Sequence, residues 1–170
     1  MTDIESKGLY MGIDPGKSGA FALIDALDPY KNFVSDYFPK DETSLCQLFL
    51  HYQDQIKGAV VETFVPFGVS KTSMCVLARN VGLWEMCLMM CNIPYTFITA
   101  ATWQKAYFYK GFIYKGNKKG RRPALKEHSL KSANALFTNA ELNKKKDDGR
   151  ADALHMALAA RDYFMDDDGE

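Results

Sequence analysis

Four carboxylates stand where packing alone would not put an acid. Asp14 closes the alternating run Leu9 to Ile13 just before Pro15 and Gly16. On the two-residue period of a strand it shares a face with Tyr10 and Gly12, and Gly12 leaves room beside the carboxylate. Taken singly, an Asp before Pro-Gly is also ordinary turn chemistry. Glu62 ends the apolar run Ala59, Val60, Val61, where an ionised side chain is expensive unless a cation or hydrogen bonds compensate it. A strand end that simply reaches solvent is the plain alternative. Asp152 lies in Ala151 to Ala160, where only it and His155 are polar, so the helix that carries it must be largely buried. Asp148, four residues earlier, projects from the same face about one turn away. It could be an N-cap, but the capping box fails because Ala151 stands where Glu or Gln is needed.

Carboxylates from two strands and a helix, without a His or Cys cluster, are hard oxygen donors suited to Mg²⁺ or Mn²⁺ rather than Zn²⁺. Two such ions about 3.5 to 4 Å apart would activate a water and stabilise a leaving 3′ oxygen during in-line displacement at phosphorus. The expected substrate is therefore a phosphodiester. Overall charge opposes this at first sight, because 21 Lys and Arg balance 21 Asp and Glu in 170 residues, whereas phosphate-binding domains are usually basic. The balance is not even along the chain: Lys105 to Arg150 holds 13 Lys/Arg against four acids. That block, set against an acidic remainder, fits one polyanion-facing surface or a solvated Lys-rich loop. The cysteines Cys46, Cys75, Cys87 and Cys91 lack zinc spacing, and Cys87 and Cys91 fall in so apolar a run that both are expected in the core of a protein from a reducing compartment.

The elements that must position the acids can be placed from periodicity. Leu9 to Ile13 and Ala20 to Ile24 read as a hairpin turning at Lys17 to Gly19, and Tyr37 to Pro39 as the end of a third strand. Leu45, Leu48, Phe49 and Tyr52 carry helical spacing within Ser44 to Gln55, with Gly58 as the breaker before a buried strand Ala59 to Val61. Thr72 to Cys91 reads as a helix interrupted near Gly82, and Tyr95 to Ile98 as a strand. Trp103 to Arg122, rich in aromatics, Lys and Gly, reads as a mobile loop. Ala124 to Phe137 and Asp148 to Phe164 are helices, the second running into an acidic tail. The order is that of one α/β domain over residues 1–170 with a mixed central sheet flanked by helices.

Met-Gly-Ile-Asp-Pro-Gly around Asp14, Val-Val-Glu at Glu62 and Asp-Gly-Arg-Ala-Asp-Ala-Leu from Asp148 through Asp152 resemble, in order and over nearly the whole chain, the RuvC-type Holliday junction resolvases. Val81-Gly82-Leu83-Trp84, Thr102-Trp103-Gln104-Lys105 and Lys144 to Ala153 look like the chloroplast branch of that family and its phage-like relatives. The resemblance implies an RNase H-like fold and a homodimer that cuts two opposed strands of four-way junction DNA, leaving 5′-phosphate and 3′-hydroxyl ends. It implies two Mg²⁺ per site, replaceable by Mn²⁺, with Asp14 bridging both, Glu62 holding one, and Asp148 and Asp152 completing the site. One departure concerns the helix acids, which bacterial resolvases space three residues apart; the gap here is four, as in the chloroplast-like branch. That branch tends to carry His and Glu at these two positions, so Asp148 could act on the attacking water rather than on metal. Phe67 would stack on or wedge between junction bases, or else anchor its loop on the domain, while Lys71, Lys105, Lys118, Lys119, Arg121, Arg122 and Lys126 would contact phosphates. Side chains of Val81 to Cys91 would be core or meet a partner subunit.

Two other readings compete. Sugar kinases and their actin-like relatives open with similar strands but need a second phosphate-binding half and a longer chain. A protein of the same fold could also bind branched DNA without cutting it. No apolar run approaches the roughly 18 residues that cross a bilayer, and Met1 to Gly8 is polar. A membrane span or export is thus not expected, and the compartment would be the cytoplasm of a bacterial or phage-infected cell, or an organelle matrix after removal of a transit peptide.

Overall fold

The computed structural model describes residues 8–16, 19–63, 70–107 and 112–167. Five strands form one mixed sheet: β1 (Leu9–Asp14), β2 (Ala20–Asp25), β3 (Phe33–Tyr37), β4 (Ile56–Thr63) and β5 (Tyr95–Thr99) lie in the order β3-β2-β1-β4-β5. β1 pairs antiparallel with β2, from Leu9 opposite Asp25 to Asp14 opposite Ala20, and parallel with β4, where Gly12 faces Val60 and Ile13 faces Val61. The expected hairpin is present, although Lys17 and Ser18 of its turn lie outside the described residues. The mixed sheet flanked by helices is the expected architecture.

Period-2 alternation divides the strands between two cores. Leu9, Met11 and Ile13 of β1, with Ala59 and Val61 of β4, face α1 (Glu42–Tyr52) and α2 (Lys71–Met90) and pack on Leu45, Phe49, Trp84 and Leu88. Tyr10 and Val60 face the other way, toward Trp103 of α3 (Ala100–Tyr107), Ala133 of α4 (Lys118–Leu136) and the alanines of α5 (Asp148–Asp167). Helix α5 lies directly on β1, and a Cβ built at Gly12 would collide with the α5 backbone at Ala153 and Ala157. Small residues on both surfaces permit this approach.

Several boundaries differ from the sequence expectation. Helix α2 runs through Gly82 without a break; burial of Trp84, Cys87 and Leu88 outweighs the roughly 1 kcal/mol that an interior glycine costs. Gly58 is not the helix breaker but lies inside β4, α1 having already ended at Tyr52. The segment Trp103 to Arg122 is not one loop. Its start belongs to α3, where Trp103 is buried, and its end opens α4, capped by Asn117, whose side chain accepts from the Gly120 N–H at 3.1 Å. Pro123 sits within α4, sacrificing one backbone bond. Cys87 is buried as expected, but Cys91 is only half-buried because it caps the exposed end of α2.

Candidate active site

The same alternation that separates the cores places the strand acids. Asp14 follows Tyr10 and Gly12 on the α5 side of β1, and Glu62 follows Val60 on the α5 side of β4, each just beyond the Ile13–Val61 pair. From above, α5 starts at Asp148 and carries Asp152 one turn on. All four predicted carboxylates line one open cleft of about 810 Å³, with Thr63, Thr99, Gln104, Arg122 and Lys126 among its other walls.

Each carboxylate is held by a different kind of donor. Asp14 Oδ1 accepts the Gly16 N–H at 2.9 Å. Glu62 Oε1 accepts the indole N–H of Trp103 at 3.1 Å. Asp148 is ion-paired with Lys126, and Asp152 accepts the hydroxyl of Ser129. Asp148 therefore spends its carboxylate on a lysine and not on a cap of its own helix.

Electrostatics show how crowded the acids are. Burial, with the charge of Asp14 added, pushes the Glu62 carboxyl up to about 7 despite Trp103. Burial pushes Asp152 up to about 8; the Ser129 hydrogen bond works against it, and the charges of Asp14, Glu62 and Asp148 add to it. Asp14 is raised too, by burial and by Asp148, although the Gly16 N–H and Lys126 partly offset this. Asp147, next to Asp148 in sequence, is the opposite case. Burial pulls it upward, but the Tyr37 hydroxyl, the Lys144 N–H and Arg150 outweigh that and hold it below the usual carboxylate range. It is a structural acid that ties the 3-10 turn Lys145–Asp147 to β3.

The donor set fits a hard divalent cation: oxygen ligands only, partly buried, with negative charge that one lysine does not neutralise. Among the described residues, no three acid, His or Cys side chains converge closely enough to form a finished metal cage. Lys126 and Ser129 hold the two helix acids as they stand. His155, buried beside the site, is pushed down to about 4 by its burial and stacks on Trp103, so it is a neutral packing partner at physiological pH.

No family model matches the chain, and no curated protein matches it. Among solved structures it is similar to Thermus thermophilus RuvC in complex with a Holliday junction substrate, with TM-score 0.58 and 13% identity over 95% of this chain and 96% of that one. It is also similar to a second structure of Thermus thermophilus RuvC, at TM-score 0.55 and 13% identity over 92% and 97%. The fold is that of RuvC. On this RuvC-like framework the four acids occupy the ends of the first and fourth strands and the start of the last helix, the expected distribution.

The remaining predicted residues divide. Arg122 and Lys126 reach the cleft, whereas Lys71, Lys105, Lys119 and Arg121 are solvent-exposed outside its lining. Phe67 and the Lys118 side chain lie outside the described residues. Trp103 and Ser129 hold two of the acids without being among the residues expected at the site. For Ser129 a signal existed, since it stands three residues after Lys126 on the same helical face. For Trp103 there was none beyond its place in a resembling segment, because its partner Glu62 is 41 residues away.

Proposed function

We propose that the protein is a structure-selective endonuclease that resolves four-way DNA junctions by paired, Mg²⁺-dependent hydrolysis, leaving 5′-phosphate and 3′-hydroxyl ends. The observation that carries this reading is the convergence of Asp14, Glu62, Asp148 and Asp152 on one cleft of a chain that shares its fold with a junction-bound RuvC. Asp14, Glu62 and Asp152 would hold the ions, with Asp148 as a fourth ligand or as the group acting on the attacking water. Bound there, two Mg²⁺ or Mn²⁺ ions would supply Lewis-acid activation of water and charge neutralisation at the leaving 3′ oxygen. Arg122 and Lys126 on the cleft wall would orient the scissile phosphate, and Lys71, Lys105, Lys118, Lys119 and Arg121 would add sequence-independent affinity.

A homodimer belongs to this reading, since resolution needs two cuts. Met86, Met89 and Met90 are 48%, 62% and 75% exposed on α2, whereas Trp84, Cys87 and Leu88 of the same helix are buried. Solvent-facing methionines in such a row are surface that a second copy would cover. The implied relation to the chloroplast-like and phage-like branch rests on the four-residue gap between Asp148 and Asp152 and on Thr102-Trp103-Gln104-Lys105. Among the described residues no helix is long and apolar enough to cross a membrane.

Incubation with an end-labelled four-way junction and with a linear duplex, each in Mg²⁺ or in EDTA, tests the proposal. Paired nicks on opposed strands of the junction alone, in Mg²⁺ alone, that DNA ligase can seal are the expected result. Tight junction binding without metal-dependent nicks would sink the nuclease reading in favour of a binding protein.

A further inference from the structure

We infer that Trp103 is a positioning residue for the metal-binding carboxylate of Glu62: its indole N–H holds Oε1 and so sets the plane in which the carboxylate lines the cleft. This rests on the proposed function and names a part of the site that the four acids do not include. The hydrogen bond is 3.1 Å long, and Trp103 is 1% exposed. An indole N–H can only donate, so the contact cannot reverse or exchange roles as a hydroxyl could.

Both partners are pinned to one piece of sheet. Glu62 lies opposite Ile98, and Thr63 opposite Thr99, in the parallel β4–β5 ladder. Thr99 then starts α3: its hydroxyl accepts the Thr102 N–H at 3.3 Å and lies 2.8 Å from the Thr102 hydroxyl. That turn delivers Trp103, the next residue, beneath Glu62. On its other side the indole is stacked on the His155 ring, with centroids 6.3 Å apart and planes inclined by 16°. Asp148 is held differently, because its partner Lys126 is a long side chain left 48% exposed, free to exchange the carboxylate for phosphate. Trp103 has no such freedom. Partners that orient a metal ligand in this way typically change metal affinity or activity by about 10- to 100-fold when removed.

The test uses the full-length protein and Mn²⁺ as the probe, with free Mn²⁺ counted by its electron paramagnetic resonance signal. Trp103→Phe keeps an aromatic ring but deletes the donor. We expect about tenfold weaker Mn²⁺ binding, and no further weakening when the same change is made in a Glu62→Ala background, which removes the acceptor. In junction cleavage kcat should fall with KM unchanged. To guard against a packing defect, both tryptophans can be replaced biosynthetically by benzothienylalanine, which keeps the ring shape and lacks the N–H. The Trp84 N–H finds no acceptor among the described residues, so the analogue should act through Trp103. Unchanged Mn²⁺ affinity in the analogue-substituted protein, or equal losses from Trp103→Phe with and without Glu62, would overturn the inference. Wild-type protein showing no Mn²⁺ binding that Asp14→Asn removes would overturn the metal reading itself, and the inference with it.

Discussion

The two tryptophans summarise the two sides of the sheet. Trp84, wholly buried between the sheet and α1, packs against Phe21, Phe38 and Phe49, and its N–H has no acceptor among the described residues. Trp103, equally buried on the opposite side, spends its N–H on Glu62. One face tolerates an unpaired donor, at about 1 to 3 kcal/mol, because large apolar contact outweighs it. The other uses small residues to draw α5 onto β1 and accepts crowded acids that burial makes harder to ionise. Both faces bury an apolar core, and the second also carries the acids.

That division can be broken from either side. Trp84→Ala should cost about 3 to 5 kcal/mol in denaturant unfolding while leaving Mn²⁺ affinity of the folded protein unchanged; a change in affinity would mean the faces are coupled. Gly12→Ala should cost about 1 to 3 kcal/mol or more and also weaken Mn²⁺ binding, because α5 must move away from β1 and take Asp148 and Asp152 with it. Preserved metal binding in a folded Gly12→Ala protein would show that the close approach is not what sets the site.

A smaller effect has an unusual sign. Glu62 and Asp152 hold their protons more tightly in the folded protein than in the unfolded chain, with carboxyls raised to about 7 and about 8. Their stabilising contribution is complete below about pH 4 and is lost as pH rises to about 8. In EDTA the melting temperature should therefore fall over that range, with Mg²⁺ restoring it most at the alkaline end. Asp152→Asn should abolish cleavage, remove the Mg²⁺ response and raise the melting temperature in EDTA at pH 8 by a few degrees. A variant less stable than wild type under those conditions would show that Asp152 is not a strained acid. The smallest effect belongs to the exposed basic residues. Lys119→Ala with Arg121→Ala should reduce the slope of log affinity against log salt by up to about 0.9 for each phosphate that the variant no longer neutralises, with cleavage at saturating junction unchanged.

Much of this was legible in the sequence where one residue's neighbours along the chain decide its place. Strand alternation put Asp14 on the face of Tyr10 and Gly12, and the near-continuous alanine character of Ala151 to Ala160 marked a buried helix with Asp152 on it. What could not be read depends on partners distant in sequence. Asp147 and Asp148 are adjacent and identical in type, yet one bonds to Tyr37, 110 residues away, and the other to Lys126. Helix α3 and the opening of α4 before Ala124 were hidden because Lys, Gly, aromatics and Pro123 blur their periodicity, whereas the body of α4 from Ala124 was legible; burial of Trp103 and the Asn117 cap secure the hidden parts. Gly82 misled for the same reason: local propensity yields to the packing of Trp84 and Leu88.

On the proposed reading, Asp14, Glu62, Asp148 and Asp152 gather to bind divalent metal. Diffraction from crystals soaked in Mn²⁺, recorded for its anomalous signal, tests it most directly. Two peaks within the cleft, both absent from Asp14→Asn crystals, are the expected result. Peaks confined to the protein surface, or a cleft in which Lys126 stays on Asp148 and no peak forms at saturating Mn²⁺, would contradict it.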